Sequence, residues 1–297
     1  MIAEIEDSLV GKLGIGGASI AVRRTWKRLP KSRHRDPVLL VVERVLKVFQ
    51  DHGVAIPEIP RLIPQIRLEQ LQSLEALLPA LTNDVIAKVV ELFQIQRAWL
   101  DGTQDRMYEL RWCGKAPLQF FRVLAALQPD NMIYPVIAFC CDSMLDMKRR
   151  NEQPIVIALA EKCADLDGKA ILRFRPFNDR WRWSYSRTRI QLKAMIRVVE
   201  SQLCMPVPLF RVSREILQAI EHGRIVPNPY HIDCARLSDV SLEDYCLSPS
   251  ESAVSKEFEE LPEAMKYIKE CKLDQVTIPW APSKSMIFRL RQKLERH

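Results

Sequence analysis

Between Asp36 and Gly102, apolar side chains return at every third or fourth position in three bursts, each closed by proline or glycine. The first burst is Val38, Val41, Val42, Val45, Leu46 and Phe49. Asp36 stands where a capping side chain belongs, and Pro37 where a missing N–H costs nothing. His52-Gly53 ends the run. After Pro57, Pro60 and Pro64 comes a second stripe, Leu68, Leu71, Leu74 and Leu77-Leu78, stopped by Pro79. Arg67, Glu69, Gln70, Gln72 and Ser73 fall on its other side. Thr82 or Asn83 caps the third, with Val85, Ile86, Val89, Val90 and Phe93, followed by Trp99 and Leu100. Helices this short are marginal alone and must bury their stripes against each other or a neighbour. Residues 37–111 therefore read as a compact helical module.

Beyond Trp112 the period changes. Pro117 to Leu127, Asp142 to Arg150 and residues 188–203 read as helices, and Met132 to Cys140 and Pro154 to Ala160 as buried strands. Ala170 to Phe177 and Arg180 to Arg187 alternate in character and are expected to form a hairpin through Asn178-Asp179. Trp181, Trp183 and Tyr185 would then share one face, as the inner side of a half-buried sheet. A base-stacking platform or the wall of a small-molecule pocket are the other uses of such a face. The expected fold class is α+β: a small all-helical domain followed by a larger mixed α/β domain (112–240) with an antiparallel hairpin. Residues 241–297 read as an acidic linker, reaching Glu263, and then a basic C-terminal tail.

Charge is distributed unevenly. Lys plus Arg number 44 against 37 for Asp plus Glu, a net charge of +7. Residues 1–36 hold four of the nine glycines and then a basic run with no acid: Arg23, Arg24, Lys27, Arg28, Lys31, Arg33 and Arg35. Like charges at this density repel, so the arm is either solvated and flexible or laid on a polyanion.

Residues Val85 to Gly102, V-I-A-K-V-V-E-L-F-Q-I-Q-R-A-W-L-D-G, are similar to the closing segment of Cro/C1-type (XRE-like) helix-turn-helix domains. Ile86, Ala87, Leu92, Ile95, Trp99, Leu100 and Gly102 would take the roles of that segment. The resemblance implies a positioning helix over 56–63 and a recognition helix over 67–78. It also implies double-stranded DNA as partner, with Arg67 reading guanine, Gln70 and Gln72 reading adenine, and Ser73 beside them. The arginines and lysines of the arm would meet phosphates or a minor groove. Two departures from the pattern stand out: Pro60 falls inside the expected positioning helix, and the usual polar start of that helix is missing.

Other chemistries have little to stand on. Gly14-Ile15-Gly16-Gly17 lacks the strand and the Lys-Ser/Thr of a phosphate loop. There is no nucleophile elbow and no His-Glu-x-x-His. His231-x-x-Cys234, even with Cys246 and His222, lacks the paired spacing of structural zinc sites. No catalytic residue, cofactor or metal is expected. Eight scattered cysteines read as reduced thiols, and Glu4, Glu6 and Asp7 stand where an export signal would be positive, so a cytoplasmic, non-membrane protein is expected. The expectation is a DNA-binding transcriptional regulator, homo-oligomeric, whose C-terminal domain supplies dimerisation or senses a small-molecule or protein effector. The alternative is a protein–protein interaction or assembly factor with a degenerate helix-turn-helix module.

Overall fold

The computed structural model describes residues 36–114, 116–127, 135–141, 152–203, 207–241 and 260–281, with side chains to residue 235 in the penultimate stretch. It is an α+β fold. The expected helix at 142–150, the acidic stretch 242–259 and the tail beyond 281 lie outside the described residues.

The helical layer begins with α1 (Pro37–Asp51), whose first turn is capped by the Asp36 carboxylate accepting from Val38 N at 2.9 Å. A single 3-10 turn, Ile56–Glu58, leads into α2 (Ile59–Leu62). The expected positioning helix over 56–63 is divided, into that 3-10 turn and the four residues of α2. The helix restarts at Ile59, so Pro60 sits in a first turn, where no donor is needed. The expected recognition helix is not continuous. It divides into a 3-10 turn (Leu68–Gln72), α3 (Leu74–Leu77) and a second 3-10 turn (Leu78–Ala80), because Ser73 is extended at φ −149°, ψ 167°. Then α4 (Asn83–Phe93) starts from the Thr82 cap and ends at Gln94 in the left-handed region, before α5 (Arg97–Leu100).

After α6 (Pro117–Ala125), β1 (Val136–Cys140), β2 (Pro154–Leu166) and β3 (Lys169–Pro176) form an antiparallel meander. Short β4 (Trp181–Arg182) also pairs with β2. Helix α7 (Ser186–Leu203) then crosses over to β5 (Pro208–Val212), which lies parallel to β1. Helix α8 (Arg214–Glu221) precedes β6 (Cys234–Ser241), antiparallel to β5, and α9 (Leu261–Glu270) follows. The strand order is β3-β2-β1-β5-β6.

The sheet is covered on both faces, and the period of two sorts its side chains between two cores. Ile137 and Phe139 of β1, with Val156, Ala158 and Ala160 of β2, join the cluster built by the helical layer. Val136, Ala138 and Cys140, with Ile155, Ile157 and Leu159, join the cluster under α6, α7 and α9. That is why these strands are apolar at every position. The helical layer thus shares a core with one face of the sheet.

The hairpin differs from the expected one. β3 pairs with β2 through Asp167-Gly168, both at positive φ (55° and 84°), as a primed two-residue turn requires. Asn178-Asp179 instead holds a junction, where the Asp179 carboxylate accepts from Cys113 N at 2.9 and 3.0 Å and from Gly114 N. Trp181 and Trp183 are buried beneath α7, as an inner face, but Tyr185 is half exposed because the strand stops at Arg182 and the helix begins at Ser186.

The segment from Glu260 does not behave as linker and tail. Helix α9 packs on α7, and Glu260 closes an ion trio with Arg189 (2.5 Å) and Lys193 (2.9 Å). Among the described residues, all six cysteines are free thiols, and no helix is long and apolar enough to cross a membrane.

Candidate nucleic-acid interface

The turn Arg67–Ser73 gathers the four residues expected at a DNA surface, and local hydrogen bonding decides how each is presented. Arg67 N donates to Gln70 Oε1 at 2.8 Å, so the Gln70 amide is committed to capping its own turn and is half-buried. Ser73 Oγ accepts from Ala76 N at 3.1 Å and caps α3. Arg67 and Gln72 project into solvent, Arg67 beside Glu69 at 3.5 Å, a loose exposed pair that restrains it little. Leu68, at the head of the turn, is 61% exposed. Arg67 and Gln72 are therefore available to a partner, whereas Gln70 and Ser73 chiefly hold the turn together. Arg23, Arg24, Lys27, Arg28, Lys31, Arg33 and Arg35 lie outside the described residues.

What positions this turn is the packing beneath it. Ile63, Ile66 and Leu77 are buried in the helical core. Arg61 reaches the hairpin tip and pairs with Asp167 at 2.5 Å. Gly53 turns the chain out of α1 at φ 82°, where a Cβ would stand 2.6 Å from His231 Nε2. Next to it, His52 is fully enclosed: its Nδ1 meets Val48 O at 2.7 Å and its Nε2 meets Tyr108 Oη at 3.1 Å. Burial pushes its pKa down to about 3, so it is a neutral core histidine.

The electrostatics of the helical layer are unlike those of a duplex-gripping surface. Residues 37–111 carry eight basic and ten acidic side chains, with Glu58, Glu69 and Glu75 around the turn itself. The densest acid-free run of positive charge in the sequence is 23–35.

A second feature, not anticipated from the sequence, is a cleft of about 730 Å³ where α4 and the chain after it face the outer strand β3. Val90, Phe174, Arg97, Arg111 and Arg175 are among the residues that line it. Among the described residues, no three His, Cys, Asp or Glu side chains converge as a metal would need. No family model, curated protein or solved structure matches this chain.

Proposed function

We propose that the protein is a DNA-binding transcriptional regulator in which the basic arm, 23–35, supplies affinity and the exposed turn at Arg67 and Gln72 supplies sequence preference. The observation that carries this reading is the exposure of Arg67 and Gln72 on a turn that follows α1 and α2 and precedes α4 and α5. That is the helix order the Cro/C1 resemblance implies. Because the helical layer is net acidic, it cannot hold a duplex by itself. The arm must neutralise phosphates and bring the turn to the major groove. A homodimer would place two such turns on two half-sites.

Selection from a pool of random duplexes tests it. The full chain should enrich a recurring sequence, and Arg67→Ala should relax one base position at a cost of about 1–3 kcal/mol. Recovery of unchanged random sequence would contradict the proposal. The second reading, an assembly factor with a degenerate module, is favoured by Leu68, an exposed apolar side chain at the head of the turn. On that reading Leu68→Asp changes the sedimentation behaviour of the chain, and no duplex is enriched.

A further inference from the structure

We infer that the tip of the β2–β3 hairpin is a brace that sets the pose of the turn Arg67–Ser73, and that loss of charge at Asp167 and Lys169 releases it. Its use in regulating recognition rests on the DNA reading above, whereas the brace itself stands on bonds within the chain.

The hairpin is aimed at the helical layer. The register of β2 against β3 shifts between Lys162 and Ala164, and an irregularity of this kind bends the strands beyond it. Past the shift, Leu166 and Ile171 enter the same core as Ile59, Ile63 and Ile66. Apolar packing brings the two elements together but is non-directional, so the polar bonds fix their register. The tip is itself held, because Asp165 Oδ1 accepts from Gly168 N at 2.7 Å.

The residues on either side of Gly168 carry opposite charges, and each meets its complement on the chain that leads from α1 into the turn. Asp167 Oδ1 is 2.5 Å from Arg61 Nη2. Lys169 Nζ donates to Gly53 O at 2.6 Å and lies 3.5 Å from Glu58 Oε2. Glu58 Oε2 also accepts from Ala55 N at 2.8 Å, so Lys169 steadies the acid that caps the entry to α2. Asp167 is 80% exposed and Lys169 45% exposed, within reach of a partner or a modifying enzyme. Exposed pairs contribute little to global stability, which suits them to a local adjustment. Salt screening, or acetylation of Lys169, weakens the brace while the core beneath stays folded. The segment can then open locally at far lower cost than the whole fold.

Amide hydrogen exchange on the full chain without DNA tests the brace. Asp167→Asn keeps the side-chain shape and tolerates the left-handed backbone there (φ 55°). Combined with Lys169→Gln, it should speed exchange across residues 59–72 about two- to fivefold and leave β1 and β2 unchanged. Added salt should speed the same segment in the parent but not in the double variant. Lys169→Arg, which keeps the cation, should remain within about twofold of the parent. Unchanged exchange over 59–72 in the double variant, equal acceleration in β1 and β2, or Lys169→Arg exchanging as fast as Lys169→Gln would each overturn the proposal. No duplex takes part, so failure of DNA binding leaves these outcomes as they are.

Discussion

Lys193, fully enclosed on α7, places its Nζ 2.9 Å from Glu260 Oε2, and the same carboxylate takes the Arg189 guanidinium at 2.5 Å. Two cations on one helix are thereby held by a single acid that starts α9. Burial raises the Glu260 pKa, but the hydrogen bonds from Arg189 and Lys193 outweigh it and leave the carboxyl below its ordinary value. Removing the acid takes the shared carboxylate from two buried cations, so Glu260→Ala should cost about 3–5 kcal/mol in urea denaturation. A folded-state pKa lowered in this way contributes stability above the unfolded value of about 4.3, lost as pH falls through the folded one. In that acid range Glu260→Gln should therefore be less sensitive to pH than the parent.

His52 gives a different pH signature. Its pKa is about 3 when folded and about 6.5 when unfolded, so below that upper value only the unfolded chain takes up the proton. Stability should be level in this respect above about pH 6.5 and should fall towards acid by up to about 1.4 kcal/mol per pH unit. His52→Phe removes the slope but leaves the buried Tyr108 hydroxyl without its partner, at a cost of about 1–3 kcal/mol. Adding Tyr108→Phe should recover part of that loss. Denaturant midpoints across pH 4–8 measure all three.

Two of the glycines at positive φ, Gly53 and Gly168, should respond unequally to alanine. At Gly168 a Cβ meets nothing within 4 Å, so Gly168→Ala costs only the backbone strain, about 1 kcal/mol. At Gly53 the same φ penalty is joined by a clash with His231 Nε2 at 2.6 Å. Gly53→Ala should lower the melting temperature distinctly more than Gly168→Ala. Equal shifts would contradict the close approach of His231.

Ser73 was a candidate DNA contact by position, yet its hydroxyl caps α3. Ser73→Ala should cost about 1 kcal/mol of stability, whether or not DNA is present. A loss of DNA affinity with unchanged stability would argue instead that the hydroxyl faces the duplex.

The helices of the first 100 residues were legible because short-range chemistry sets them: Asp36 and Thr82 cap α1 and α4 where the sequence has them doing so. The break at Ser73 was hidden, since the leucine period runs through it while the serine hydroxyl competes for the backbone. Asp167-Gly168 is a strong primed-turn pair and defines the hairpin, but the aromatic alternation after Asn178-Asp179 drew attention to the wrong turn. Trp181 and Trp183 are inner-face residues of the sheet region, while Tyr185 belongs to the start of a helix. The cleft was hidden, because the chain at Arg111 reaches the end of β3 through a bridge to Phe177, a pairing across 66 residues that no local period encodes.

The salt dependence of duplex binding tests the regulator account most directly. On random duplex the full chain should bind at low salt and lose affinity steeply, with a log–log slope that reaches about −6 if all seven arm cations meet phosphates. Replacing Arg23, Arg24, Lys27, Arg28, Lys31, Arg33 and Arg35 by glutamine should bring the slope close to zero. A slope unchanged by those substitutions, or no binding even at low salt, would contradict the account.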